Sequence, residues 1–153
     1  MRVLKEATFE EVLSCHDRKN LGSASFVYTA DQLRTADKEV GGRWTLATLS
    51  REDTLNIMLP THRHPAENPD ELIPKPGLTV SVAAGRVREL TRETGLCWEN
   101  IHFHKALDFS QNHVFLKFKN GGLKHLDGLH RLLAWAVFDK KEEVLAYVAG
   151  VIQ

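Results

Sequence analysis

The residues with the clearest chemical potential lie together in the run Leu126-Asp127-Gly128-Leu129-His130-Arg131-Leu132-Leu133-Ala134-Trp135. It reads as a strand that ends, an Asp-Gly turn, and a helix with His and Arg in its first turn. The open N–H groups of a helix start, together with the positive end of its dipole, attract anions. Gly128 lets the backbone come close to a ligand. Arg131 offers a planar fork to phosphate oxygens, and His130 adds a donor of adjustable charge. Asp127 can cap the helix, orient Arg131 or act as a base. The phosphate-binding candidates are therefore Gly128, His130 and Arg131, with Asp127 and His130 as catalytic candidates. A plain Asp-Gly turn before a helix with surface His and Arg has the same spelling.

Histidine is the second chemical feature. Five of the eight histidines (His102, His104, His113, His125, His130) fall within residues 101–131, with five Lys/Arg against two acids. This basic segment sits inside a neutral chain. Two His-x-His pairs occur, His62/His64 and His102/His104. On a strand, residues two apart face the same way, so His102 and His104 could chelate one metal ion, with Asp108, His113 or Glu67 completing the shell. His62-Arg63-His64 with Glu67 is similar to the HxH-and-Glu of cupin-like enzymes, but the spacing is short and no second cupin motif follows. Alternatively, His102 and His104 line a cleft beside Arg131, His104 serving as general base, or they are the polar face of a half-exposed strand. Lys117 and Lys119 share a strand face, which is either solvated or the positive wall of the same cleft. Lys117 accordingly joins the phosphate-binding set.

These side chains need a scaffold, and the chain is long enough for one. It has 153 residues, 42% of them apolar, sufficient for one real core. Twenty Lys/Arg balance twenty Asp/Glu, with a pI near 7.1. That balance excludes general disorder and binding to nucleic acid by bulk charge. No apolar run reaches the ~18 residues that span a bilayer, and MRVLKEATFEE carries acids where a signal peptide needs apolar residues. Cys15 and Cys97 make neither a disulfide framework nor a CxxC pair, as in a reducing compartment. A cytoplasmic protein is expected. Cys97 reads as buried and inert, Cys15 has no activating partner in the sequence, and Trp98 could stack on a base.

Thr8-Phe9-Glu10-Glu11 fits a capping box, so a helix is expected over about 8–17. Residues 18–29 read as a loop with an extended piece at Phe26-Val27-Tyr28. Helix resumes near Thr29 through Leu33, Ala36 and Val40 to Gly41-Gly42. A further helical run takes in Trp44, Leu46, Leu49, Leu55 and Met58, with Ser50-Arg51-Glu52-Asp53 as a second helix start. All five prolines lie in 60–77, which excludes regular structure there. Beyond them, Leu78–Val82 reads as a strand, Ala83–Thr94 as a helix ending at Gly95, and Ile101–His104 as a strand. Residues 113–119 and Leu123–Leu126 form a hairpin about Asn120-Gly121-Gly122. A helix over Leu129–Phe138 and a buried strand over Val144–Ile152 complete the pattern. The expectation is an α/β (α+β) fold: a small mixed sheet with helices at 78–153, a helical region at 1–60, and a Pro-rich loop or linker at 61–77.

The run LDGLHRLLAWAV, with VLAYVAGVI behind it, resembles the ParB/sulfiredoxin-like superfamily, whose members carry a DGxHR, GxHR or GERR motif at a strand–helix junction. LTVSV, GRVRELTRETG and VFLKFKNGGLKHLDG follow the family's order, and the resemblance covers about 78–152. It implies phosphate contacts for Gly128, His130 and Arg131, a supporting or catalytic role for Asp127, and ATP or another nucleotide with Mg²⁺ as cofactor. Leu129 stands where sulfiredoxins carry their nucleophilic cysteine, which argues against sulfinic-acid chemistry. DNA clamping like that of ParB is not expected, given the neutral overall charge. The free-serine-kinase branch and unassigned stand-alone members remain, with Glu99, Glu93 and Asp108 candidates for a catalytic carboxylate by location only. The implied function is phosphoryl transfer from a nucleoside tri- or diphosphate to a small hydroxyl-bearing substrate, or nucleotide hydrolysis. The alternatives are a non-catalytic phosphate-ligand-binding protein and a metal-dependent enzyme using His62, His64, His102 and His104. Expected partners are a nucleotide and a small substrate, with no nucleic acid or membrane; a homodimer is left open.

Overall fold

The computed structural model describes residues 1–20, 22, 26–61, 73, 76–89, 95–150 and 152, with the side chains of residues 26 and 95–98 outside the description. The elements run β1 (Arg2–Ala7), α1 (Phe9–Asn20), α2 (Phe26–Val40), β2 (Trp44–Leu49), α3 (Arg51–Leu55), α4 (Val80–Glu89) and α5 (Gly95–Phe103). A 3₁₀ turn (His104–Ala106), β3 (Val114–Lys119), β4 (Gly122–Asp127), α6 (Leu129–Val137) and β5 (Val144–Ala149) follow. The strands form one mixed sheet in the order β1-β2-β5-β3-β4. β3 runs parallel to β5 and the other pairs are antiparallel. The fold is α+β, as expected.

Alternation along the strands gives the sheet two apolar faces. Val114, Leu116, Val144, Ala146 and Val148 pack with Val80, Ala83, Val87, Ile101, Leu132, Leu133 and Trp135 of α4, α5 and α6. Phe115, Tyr147, Ala149 and Trp44 pack on the other face with Val12, Cys15, Leu33, Ala36 and Val40 of α1 and α2. The sheet is thus sandwiched between two helical layers. Several local expectations hold. Glu11 and Thr8 exchange the capping-box bonds, Thr8 N donating to Glu11 Oε2 at 2.8 Å and Glu11 N to Thr8 Oγ1 at 3.2 Å. Ser50 and Asp53 build a second box at the start of α3. Asn120 and Gly121 take positive φ of 54° and 75°, which suits a tight hairpin turn.

Other segments differ from expectation, each for a physical reason. Residues 1–60 contain α1, α2 and α3 but also β1 and β2, and Trp44–Leu49 is a strand where helix was expected. Because β2 lies between β1 and β5, helices cover both its faces, and its buried residues lose the two-residue period. Residues 26–28 open α2 instead of forming an extended piece, and α1 continues to Asn20. Val80–Val82 belongs to α4: Val80, Ala83, Ala84 and Val87 are buried at helical spacing, which outweighs the apparent alternation. Ile101–Phe103 is helical too. Ile101 is 1% exposed and Phe103 77%, the reverse of two residues sharing a strand face. Gly95 begins α5 instead of ending a helix. Residues 90–94, and with them Glu93, lie outside the described residues.

Candidate functional site

The site is made by an irregularity in the β3–β4 pairing. Leu116 pairs with His125 and Phe115 with Asp127, so Leu126 is an extra residue, a β-bulge. The bulge turns Asp127 to the face of Phe115, toward α1 and α2. There Asp127 Oδ2 accepts from Arg131 Nη2 at 3.2 Å and from Asn20 Nδ2 at 3.1 Å. Asn20 Nδ2 also donates to His16 O at 2.9 Å. One amide thereby ties the last turn of α1 to the turn before α6.

Gly128 is the N-cap of α6, with φ 106° and no side-chain cap hydrogen bond. A Cβ here would lie 2.9 Å from Val114 Cγ1 and 3.2 Å from Arg131 Nη2. The glycine is therefore required both by its backbone angle and by the closeness of Val114 and the guanidinium. The Arg131 side chain is 10% exposed, and among the described residues it makes one hydrogen bond, to Asp127. Burial works against the guanidinium charge, and Asp127 offsets part of that effect.

Other cations gather beside it. Lys19 donates to Asn112 Oδ1 at 3.4 Å. Burial lowers its pKa, the nearby charges of Arg131 and Arg18 lowering it further, while the Cys15 thiol acts the other way. Cys15 is 2% exposed, and burial raises its pKa against the pull of Lys19, Arg18 and Arg131. That keeps it a protonated thiol. His113 stacks on Tyr147 with centroids 5.0 Å apart and planes at 15°. Burial, then Lys19, Arg131 and Arg18, lower the His113 pKa to about 4. His104, in the 3₁₀ turn, is likewise lowered to about 4, by burial and by Arg131. Both rings are neutral at physiological pH, and each has a buried Nδ1 without a hydrogen-bond partner among the described residues.

Of the residues proposed from sequence, the structure brings Asp127, Gly128, His130 and Arg131 together, with His130 half-buried in the first turn of α6. Lys117 is engaged elsewhere. Its ammonium is held by Glu39 in a groove of about 350 Å³ between α2 and the β3–β4 hairpin, which Tyr28, Thr35 and His125 also line. The shared-face argument for His102 and His104 fails, because His102 lies in the last turn of α5 and His104 in the 3₁₀ turn that follows, not on a strand. His102 packs edge-on against Phe138 at 5.2 Å. His62, His64 and Glu67, and the side chains of Cys97 and Trp98, lie outside the described residues. Among the described residues no three His, Cys, Asp or Glu side chains converge as metal ligands. Glu99 is exposed on α5, and Asp108 bonds its own turn through Ser110.

Sequence reading missed Arg18, Lys19, Asn20, Asn112 and Tyr147, and weighed His113 as a metal ligand instead. Asn20 and Asp127 are 107 residues apart, and no local pattern announces such a contact. The basic end of α1 was the available signal, had the helix been extended to Asn20.

Fold and site together define an α+β protein with a buried, cation-rich strand–helix junction. The whole chain, residues 1–153, matches the model of a family of unknown function, DUF6309, and belongs to that family. No curated protein and no solved structure matches it. Among the described residues no helix is long and apolar enough to cross a membrane.

Proposed function

We propose that this protein binds a phosphate-bearing small ligand, in the first instance a nucleoside di- or triphosphate with Mg²⁺, where β4 meets α6. One observation carries the reading: Arg131 is nine-tenths withdrawn from water yet uses one of its five N–H donors among the described residues. Its remaining N–H groups keep access to solvent and are not buried without a partner, and phosphate oxygens supply acceptors in the geometry a guanidinium prefers. The positive end of the α6 dipole, at a Gly128 N-cap that makes no side-chain hydrogen bond, favours the same negative charge.

Phosphoryl transfer to a small hydroxyl-bearing substrate, or nucleotide hydrolysis, is the activity implied by the ParB/sulfiredoxin-like resemblance. In that reading Arg131 and the helix start stabilise charge on the transferred group. Asp127 already accepts from Arg131 and Asn20, so it acts as a positioning residue. His104, neutral with a buried Nδ1 that has no hydrogen-bond partner among the described residues, is the candidate acceptor for the hydroxyl proton. Mg²⁺ would ride on the nucleotide's own oxygens, since the described residues offer it no set of three ligands. A binding protein without turnover is the second reading. It is favoured by the double engagement of Asp127 and by the weak basicity of His104 at neutral pH. In either reading we place the protein in the cytoplasm, with a nucleotide and a small molecule as partners.

Calorimetry with ATP, ADP, CTP and GTP, with and without Mg²⁺, tests the proposal. Saturable binding that Arg131→Gln weakens at least tenfold, in a variant with the wild-type circular dichroism spectrum, supports it. No binding of any of the four sinks it. Turnover of the bound nucleotide separates the two readings.

A further inference from the structure

The last turn of α1 is held against the start of α6 by polar contacts that a purely structural helix end does not require. Asn20 reaches Asp127, and Lys19 reaches Asn112, the residue before His113. Arg18 and Lys19 bring two cations to a place already occupied by Arg131, and the three are close enough to act on Cys15 and His113 together. Glu11 is paired with Lys5 at 2.5 Å. Among the described residues Asp127 is the carboxylate bonded to Arg131, whereas half-buried Lys19 is bonded to the neutral Asn112. Like charges are not gathered in a half-buried place without cost, and Lys19 has no acidic partner among the described residues, with Arg18 adding a further positive charge at the exposed rim.

We propose that Arg18, Lys19 and Arg131 form a two-walled clamp for a doubly charged phosphate group, with Lys19 and His113 as specificity-determining residues. Resting on the phosphate reading above, this names the ligand class. The α1 wall supplies charge, so the clamp favours phosphate dianions and pyrophosphate over a monovalent carboxylate. His113 supplies a neutral ring held flat on Tyr147, whose buried Nδ1 has no partner among the described residues. It hydrogen-bonds the ligand without adding charge.

The probes are inorganic pyrophosphate and acetate, titrated calorimetrically at fixed ionic strength. The proteins are wild type, Lys19→Met, Arg18→Gln, His113→Phe and Arg131→Gln. Arg18 is exposed, so its replacement leaves the fold intact and serves if Lys19→Met melts early. Wild type should bind pyrophosphate at least tenfold more tightly than acetate. Lys19→Met should weaken pyrophosphate about tenfold, as loss of one charge-assisted hydrogen bond does, and Arg18→Gln severalfold. His113→Phe keeps the stack and should lose affinity at an unchanged melting temperature. Pyrophosphate binding that Arg131→Gln abolishes but both α1 variants leave intact overturns the clamp while keeping the phosphate site. Equal affinity for acetate overturns the dianion preference. Failure of wild type to bind pyrophosphate or any nucleotide removes the phosphate reading itself.

Discussion

Three residues carry the junction, and each has a measurable consequence. Gly128 combines a φ of 106° with a Cβ position 2.9 Å from Val114. Gly128→Ala should therefore cost about 1–3 kcal/mol by denaturant titration, whereas alanine at an exposed, right-handed glycine would not. Asp127→Ala leaves the buried guanidinium unpaired among cations and should cost about 3 kcal/mol. If the clamp is occupied as proposed, added pyrophosphate should restore part of that stability. His104 and His113 set the pH dependence. Their folded pKa values, near 4, lie below the ordinary value of 6.5. The unfolded chain then takes up protons that the folded chain refuses, so stability should fall as pH drops from about 6.5 toward 4 and stay flat above. A decrease in Tm on the order of 5 °C between pH 7 and pH 4.5 is expected, removed in the His104→Gln/His113→Gln double variant. Asp127-Gly128-His130-Arg131 was legible in the sequence because a tight turn and a helix start have a local spelling. Lys19 and Asn20 were not, and His113 was read as a metal ligand, because all three reach the junction only through tertiary packing.

At the scale of elements, legibility followed whether the local signal was also the one that packing obeyed. The boxes at Thr8 and Ser50 and the turn at Asn120-Gly121 are self-contained, and all three stand where the sequence put them. Thr8→Ala and Ser50→Ala should each cost about 1 kcal/mol, read as a shift in denaturant midpoint at constant slope. Periodicity misled where both faces of an element are covered, as in β2, or where small apolar residues read equally well as strand and helix, as at 78–82. At Ile101–His104 an apparent alternation was accidental: one partner is buried and the other points to solvent. The β-bulge at Leu126 could not be anticipated either, because a bulge is a property of two paired strands. It is nevertheless what aims Asp127 at α1.

In the whole molecule, strands from both sides of the Pro-rich segment meet at β5, which lies between β2 and β3. A fragment of residues 78–153 would keep the junction motif but lose β2, α1 and α2, and with them one face of the sheet. That fragment should lack dispersed amide resonances and bind no pyrophosphate, while a chain from residue 1 onward should show dispersed resonances and bind it. Twenty cations balance twenty acids overall, so the anion proposed for this junction would be drawn there by local geometry and not by bulk charge. The most direct test of that claim is an amide and guanidinium NMR titration of the full chain with MgATP. Phosphate binding at the junction predicts saturable shifts of the Leu129 and His130 amides and of the Arg131 side-chain N–H, with Lys19 and His113 following. Saturating shifts confined to other residues, or none at millimolar nucleotide, would contradict it.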